Sequence, residues 1–207
     1  MANDIKRIWA LRISTFAGIT FSLLAVAVIT GRTVGFDNSV RSAIHASAGP
    51  YMTLVATGVS FLGSLLVLIP ATAATAAYLT LKGRRLAGLA QVVVMGGALA
   101  LNWLLKTAIH RPRPQPFFGV DPESLSFPSG HVFFAFCFSG TLVLILCCPR
   151  PRATLVAWAM FVLAIAWSRV YLGVHYPTDV VAGLLAGICW LGALYSLGLF
   201  QTGKILR

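Results

Sequence analysis

Six long apolar runs follow one another along the chain, separated by short polar stretches. A membrane-spanning helix needs about 20 mostly apolar residues, and the runs approach or exceed that length. They lack the strict alternation of apolar and polar positions that strands of a membrane barrel show. The pattern therefore predicts an all-α bundle of six transmembrane helices, with spans at 13–30, 54–81, 86–105, 132–148, 153–173 and 180–203.

The composition supports a membrane protein. Of the 207 residues, 58% are hydrophobic and 10% are charged, and the mean hydropathy is +0.85. An ordinary soluble domain has about 25% charged residues, so this chain has too few polar side chains to cover a surface in water. We expect one integral membrane domain over 1–207. The segment 36–50 is predicted as a short surface helix with Asp37 as its N-cap.

The charge distribution predicts how the chain crosses the membrane. The formal net charge of +11 would suggest a nucleic-acid partner in a soluble protein. Here the basic residues lie in short clusters between apolar runs, so we expect membrane lipids and no nucleic acid around the chain. Ten of the 16 Lys and Arg residues lie at one end of the predicted bundle. The positive-inside rule then places both termini in the cytoplasm of a cell (inner) membrane.

The first apolar run has a second interpretation. Basic residues, an apolar stretch and small residues at 25–27 also form the pattern of a secretory signal peptide. Because the run continues past these residues to position 30, we expect a retained helix. The later spans keep their orientation in both cases.

Three short polar blocks lie at the predicted outer, extracytoplasmic ends of the last four spans. They cover residues 106–114, 128–131 and 168–179. An Arg at the centre of a span costs about 2.5–3.5 kcal/mol on insertion scales, so charges near apolar depth usually have a function. Since the three blocks share one face of the membrane, helix packing can bring them into one cluster.

The cations of these blocks suit a tetrahedral dianion. Lys106, Arg113 and Arg169 supply three positive charges, and arginine grips phosphate oxygens with two parallel hydrogen bonds. Ser129 and Gly130 precede a predicted helix, whose first backbone N–H groups can point at an anion. Phosphoryl transfer needs positive charge around the equatorial oxygens together with a nucleophile and a proton donor.

Two histidines and one aspartate complete the set. His175 and Asp179 are four residues apart, and Pro177 lies between them at the predicted start of the last helix. The carboxylate can hold one ring nitrogen of His175 and leave the other free to attack, as the acid of a catalytic triad does. His131 is then the candidate general acid.

Other polar residues are interpreted as passive. We expect His45 and His110 to be interfacial residues, and Arg111 to be a lipid-headgroup or loop contact. The four cysteines show no C-x-x-C spacing and are interpreted as small packing residues rather than metal or redox groups. These cysteines are Cys137, Cys147, Cys148 and Cys189.

The three blocks resemble the signature of the type 2 phosphatidic acid phosphatase family, also called lipid phosphate phosphatases. That signature reads K-x6-R-P, then P-S-G-H, then S-R-x5-H-x3-D. The chain matches it at every fixed position and in order, at Lys106, Arg113, Pro114, Pro128, Ser129, Gly130, His131, Ser168, Arg169, His175 and Asp179.

The resemblance implies a mechanism. His175 would attack phosphorus and form a phosphohistidine, Asp179 would activate it, and His131 would protonate the leaving lipid alcohol. The phosphate would be bound by Lys106, Arg113, Ser129, Gly130 and Arg169. Family members use no metal ion or other cofactor.

The expected function is therefore a membrane lipid phosphatase acting at the outer face. Its substrates would be undecaprenyl diphosphate, the first choice by a small margin, phosphatidylglycerol phosphate or phosphatidic acid. One alternative is a phosphotransferase on the same fold, which passes the phosphoryl group to another lipid. A transporter is the second alternative, but transporters usually place ionisable residues near the midplane of repeated halves.

Overall fold

Eight α-helices and no strand occur in the computed structural model, which describes residues 2–118, 124–146 and 151–200. Outside these residues lie two of the four cysteines, Cys147 and Cys148, and the ends of the fourth and sixth predicted spans. The helices, in chain order, are α1 (Ala2–Ile29), α2 (Val34–Ala46), α3 (Pro50–Leu62), α4 (Leu65–Leu81), α5 (Arg85–Ile109), α6 (Gly130–Leu146), α7 (Pro151–Tyr171) and α8 (Pro177–Ser196).

The core of the bundle lies where α5, α6 and α8 meet. Helix α6 packs against α5, α7 and α8, while α1 lies along α8 and α4 lies along α5. One face of α5 carries small buried residues, among them Ala87, Ala90 and Ala98, which allow the neighbouring backbones to approach closely. Large apolar side chains also point outward, for example Phe16 and Leu23 of α1. Helices that are apolar on every side are typical of membrane spans.

Four helices are long and apolar enough to cross a membrane, namely α1, α5, α7 and α8. The bent pair α3 and α4 raises this number to five, and α6 is a shorter apolar helix. These observations, made on the described residues, confirm an all-helical protein with several apolar spans.

The apolar run predicted at 54–81 forms two helices that meet at an angle of 41°. The apolar character of the sequence is uniform across the break, and it therefore predicts one continuous helix. The bend shows that this prediction is wrong. Helix α3 ends at Leu62, and Gly63 is its C-cap, where a Cβ atom would lie 2.9 Å from Cγ2 of Ile165. The next residue, Ser64, has extended backbone with ψ of 155°. The side chain of Ile165 on α7 therefore packs closely against the break, where a larger residue than glycine would not fit.

The short helix after the first span also differs from its prediction. Helix α2 begins at Val34, and Thr33 occupies its N-cap position. Asp37 lies in the first turn and has no exposed surface. The prediction of Asp37 as the N-cap is therefore wrong, because its carboxylate bonds to groups on other parts of the chain.

Candidate active site

The predicted site residues converge at one end of the bundle. This end contains the last turn of α5, the first turns of α6 and α8, the last turn of α7 and the loop segments at 110–118 and 124–129. Four ionisable residues of the three blocks all interact electrostatically with His131, namely Lys106, Arg113, Arg169 and His175. Residues 69 positions apart along the chain, Lys106 and His175, thus share one site.

The start of α8 orients the second histidine. Tyr176 is the N-cap of α8 and Pro177 is its first residue, as the sequence predicts. The Asp179 carboxylate accepts a hydrogen bond from the Tyr176 N–H at 2.9 Å. The same oxygen, Oδ2, lies 3.3 Å from Nδ1 of His175. The helix cap therefore holds the carboxylate beside the imidazole.

The surroundings of His175 define its tautomer. Nη1 of Arg113 lies 2.9 Å from Nε2 of His175, and a guanidinium can only donate. Nε2 is therefore the acceptor, and Nδ1 carries the proton that faces Asp179. The ring is 1% exposed. Burial lowers the pKa of His175 well below its usual value, and the neighbouring cations lower it further, so the imidazole is neutral and its Nε2 lone pair accepts from Arg113.

The three predicted cations are each held by a neighbouring group. Arg113 donates from Nε to the Ser124 carbonyl at 2.7 Å and from Nη1 to the Val174 carbonyl at 2.8 Å. Lys106 donates to the Leu125 carbonyl. Nη1 of Arg169 donates to the hydroxyl of Ser60 on α3, a contact that the sequence motifs do not indicate.

The Ser129 loop is fixed against α8. The Ser129 N–H donates to the Asp179 carbonyl at 2.9 Å, and Nδ2 of Asn102 lies 3.4 Å from the Pro128 carbonyl oxygen. Gly183 permits this approach, because a Cβ atom there would lie 2.6 Å from the Ser129 carbonyl oxygen. The loop therefore starts α6 at a defined position beside His175.

Two polar atoms of this site are buried without a partner among the described residues, the hydroxyl oxygen of Ser129 and Nε of Arg169. Buried polar groups are nearly always hydrogen-bonded, and an exception calls for an explanation such as a ligand. A hydroxyl and a guanidinium N–H are both suitable donors for a phosphate oxygen. The orphaned pair therefore indicates an anion-binding site.

Arg111 has a different role from the one its sequence position suggested. Its Nη1 donates to Oδ1 of Asp179 at 2.7 Å, and its Nη2 donates to Oδ2 of Asp37 at 2.7 Å. The guanidinium carbon also lies 3.9 Å from the centroid of the Tyr176 ring. The interpretation of Arg111 as a headgroup or loop contact is wrong, because two buried carboxylates hold it inside the protein.

The sequence contained one signal for this ion pair. The chain has only five acidic residues, and a carboxylate next to an apolar run rarely stays buried unless it is paired. That reasoning marks Asp37 as the partner of some cation without indicating which one. His45 and His110, by contrast, are exposed, and His45 stacks on Phe117 with ring centroids 4.0 Å apart.

Comparisons with known proteins agree with the site. The PAP2 superfamily model matches residues 87–202. Phosphatidylglycerophosphatase B of Bacillus subtilis is 31% identical over 174 residues, which cover 81% of this chain and 86% of that protein. The undecaprenyl-diphosphatase of Sulfolobus acidocaldarius is 31% identical over 64% of this chain and 65% of its own length.

A solved structure matches the fold. The crystal structure of a transmembrane PAP2-type phosphatidylglycerolphosphate phosphatase from Bacillus subtilis superposes with a TM-score of 0.79 at 29% identity, over 90% of this chain and 94% of the other. The chain belongs to the PAP2 superfamily. It is a membrane-bound lipid phosphatase of the kind that works through a phosphohistidine and needs no metal ion.

Proposed function

We propose that this chain removes the terminal phosphate of a lipid phosphate or diphosphate, with His175 as the nucleophile. The observation that carries the proposal is the pair of buried donors that lack a partner within the described ranges, Ser129 Oγ and Arg169 Nε. They accompany a neutral imidazole whose Nε2 lone pair faces the guanidinium of Arg113. An anion that satisfied these donors would meet the nucleophile and the cations together.

In the first step Nε2 of His175 attacks phosphorus. The N–P bond forms as the bond from phosphorus to the lipid oxygen breaks, and that oxygen takes a proton from His131. Lys106, Arg113 and Arg169 neutralise charge on the equatorial oxygens, and electrostatic stabilisation of this kind is usually the largest single contribution to such a reaction. Asp179 stabilises the positive charge that develops on the His175 ring.

In the second step water replaces the histidine. His131, now neutral, takes a proton from the water as the oxygen attacks phosphorus. The N–P bond breaks, its electron pair returns to Nε2, and inorganic phosphate leaves. The hydroxyl of Ser129 and the backbone N–H of Gly130 hold the phosphate oxygens throughout, while the Ser129 N–H stays bonded to the Asp179 carbonyl.

The first substrate to test is phosphatidylglycerophosphate. Support for it comes from the Bacillus subtilis relatives, since the sequence and the structure that carry this activity in their names match four fifths or more of the chain. Undecaprenyl diphosphate is the second substrate, because another relative carries that activity in its name. Both are phosphate esters whose lipid tail can remain in the bilayer while the phosphate enters the site.

The arrangement in the membrane is part of the proposal. The bent pair α3 and α4 counts as one span and α6 as another, which gives six crossings with both termini in the cytoplasm of the inner membrane. The site then opens on the extracytoplasmic face. The support is the excess of basic residues at the opposite end of the bundle.

The deciding experiment measures products from the purified protein in detergent. We expect inorganic phosphate and phosphatidylglycerol from phosphatidylglycerophosphate, and less phosphate from undecaprenyl diphosphate and phosphatidic acid. His175→Ala should abolish release, whereas His45→Ala, which changes an exposed histidine, should leave it unchanged. Full activity in His175→Ala would refute the assignment, and phosphate recovered on an added acceptor lipid would indicate a phosphotransferase.

A further inference from the structure

A buried chain of charged groups continues from the catalytic dyad to the short helix α2. Oδ1 of Asp179 accepts from Nη1 of Arg111 at 2.7 Å, and Nη2 of Arg111 donates to Oδ2 of Asp37 at 2.7 Å. Both carboxylates are fully buried, and the Arg111 side chain is 11% exposed. Asp37 is separated from Asp179 by 142 positions of sequence, so only the fold brings them together.

We propose that Asp37 and Arg111 are positioning residues, which hold the Asp179 carboxylate in the orientation that His175 needs. The inference rests on the function proposed above, in which Asp179 supports the nucleophile.

The two carboxylate oxygens of Asp179 have different partners. Arg111 binds Oδ1, while Oδ2 accepts the Tyr176 N–H and faces Nδ1 of His175. A carboxylate that is held at one oxygen cannot rotate freely, so the other oxygen stays aimed at the imidazole. The Tyr176 ring, 3.9 Å from the guanidinium carbon, limits the movement of Arg111 in turn.

The charges explain why a second carboxylate is present. Arg111 alone would neutralise Asp179 and weaken its support for a His175 ring that becomes positive on attack. Asp37 supplies another negative charge on the far side of Arg111, so the three groups together keep a net charge of −1. That charge is matched when the ring of His175 carries its positive charge during phosphoryl transfer.

The hydrogen bonds of Thr178 strengthen the arrangement. Its N–H donates to Oδ1 of Asp37 at 3.0 Å, and its hydroxyl donates to Oδ2 at 2.8 Å. The hydroxyl oxygen also lies 2.8 Å from Nη1 of Arg111. Because Thr178 follows the first residue of α8, these bonds connect α2 to the same helix start that carries Asp179.

Stability alone gives a weak reason for this network. Desolvating buried ions costs several kcal/mol per ion, and replacing a buried ion pair with apolar residues is often neutral or stabilising. A network that reaches a catalytic carboxylate has a clearer benefit. Outer groups that orient the ligands of a metal typically contribute about 10–100-fold to activity, and we expect a similar contribution from groups that orient this carboxylate.

The test uses Asp37→Asn, which removes the charge and keeps an oxygen to accept the Thr178 N–H. We expect kcat to fall about 10–100-fold. The KM and the inhibition constant for inorganic phosphate should stay within about twofold of the parent values, because the phosphate-binding cations are untouched. Asp179→Asn should show the same separation of kcat from KM with a larger loss.

A second pair of variants covers the case in which Asp37→Asn does not fold. Thr178→Val removes the hydroxyl from the network with little change in shape. Thr141→Val is the matched control, because Thr141 is a buried threonine like Thr178 but its hydroxyl bonds to the Cys137 carbonyl inside α6, away from the network. We expect Thr178→Val to lower kcat several-fold at constant KM and Thr141→Val to leave it unchanged.

The outcomes distinguish the two proposals. The positioning role is wrong if Asp37→Asn keeps the parent kcat while Asp179→Asn and His175→Ala lose activity; the proposed function then stands. Where Asp37→Asn does not fold, the same conclusion is drawn from Thr178→Val. If inhibition by phosphate weakens as much as kcat falls, Asp37 supports the whole site and the specific role is overturned. If His175→Ala stays active, the proposed function itself fails.

Discussion

Gly183 offers a direct test of how precisely the Ser129 loop must be placed. A Cβ atom at this position would lie 2.6 Å from the Ser129 carbonyl oxygen and 3.2 Å from Cβ of Val132. Ordinary contacts between such atoms begin near 3.4 Å, so Gly183→Ala must separate α8 and the loop further, by up to about 0.8 Å. The obstacle is backbone and therefore cannot rotate away, as the end of a flexible side chain would.

The displacement of the Ser129 loop relative to α8 should lower the rate of phosphate release. A misplacement of about 1 Å in a positioned catalytic group can cost about 10²-fold, so we expect kcat/KM of Gly183→Ala to fall by roughly that factor. Crowding of the core should also cost about 1–3 kcal/mol of stability. The variant should nevertheless fold, because alanine favours a helix over glycine by about 0.5–1 kcal/mol.

The assay is phosphate release in detergent, together with thermal unfolding of the same samples. Gly96→Ala is the matched control, because a Cβ atom on Gly96 of α5 would meet no described atom within 4 Å beyond the adjoining backbone of its own helix. It should retain activity and melt at the parent temperature or slightly above. A folded Gly183→Ala protein with parental kcat/KM would refute the argument that the close approach of α8 positions the phosphate-binding loop.

The remaining predictions concern the two histidines, pH and topology. The leaving group of p-nitrophenyl phosphate departs without protonation, so His131→Ala should accumulate an acid-labile phosphoenzyme with this substrate, and His175→Ala should not. With substrates that need a general acid, the loss of His131 should cost about 10²–10⁴-fold. If His175→Ala traps the phosphoenzyme and His131→Ala does not, the roles of nucleophile and general acid are exchanged. The pKa of His175 is lowered well below its usual value, so the nucleophile should stay unprotonated as pH falls from 7 to about 6. Over this range kcat/KM, corrected for substrate ionisation, should not decrease through protonation of His175. The unfolded chain does bind that proton near pH 6.5, so the melting temperature should fall as pH decreases below about 6.5, and His175→Gln should reduce this dependence. A cysteine at exposed Ser47 should react with an impermeant thiol reagent on intact cells, whereas Lys82→Cys should react only after lysis. The opposite result would invert the topology.

Much of this protein follows from local sequence. Apolar runs predict membrane spans because the preferences of the individual residues for lipid add up along a helix. The position of Pro177 before Asp179 predicts the helix start that the structure contains, since proline and the capping carboxylate act within one turn. The motif blocks indicate phosphate chemistry because the residue types themselves limit which reactions are possible.

Tertiary structure decided what depends on distant neighbours. Hydropathy does not locate the break after α3, where Gly63 packs closely against Ile165, a residue that lies 102 positions later in the chain. Arg111 looks like any interfacial arginine until the fold brings Asp37 and Asp179 to its two nitrogens. The sequence determines which charges exist and which lie within one turn of each other, but pairing between charges far apart in the chain depends on how the helices pack.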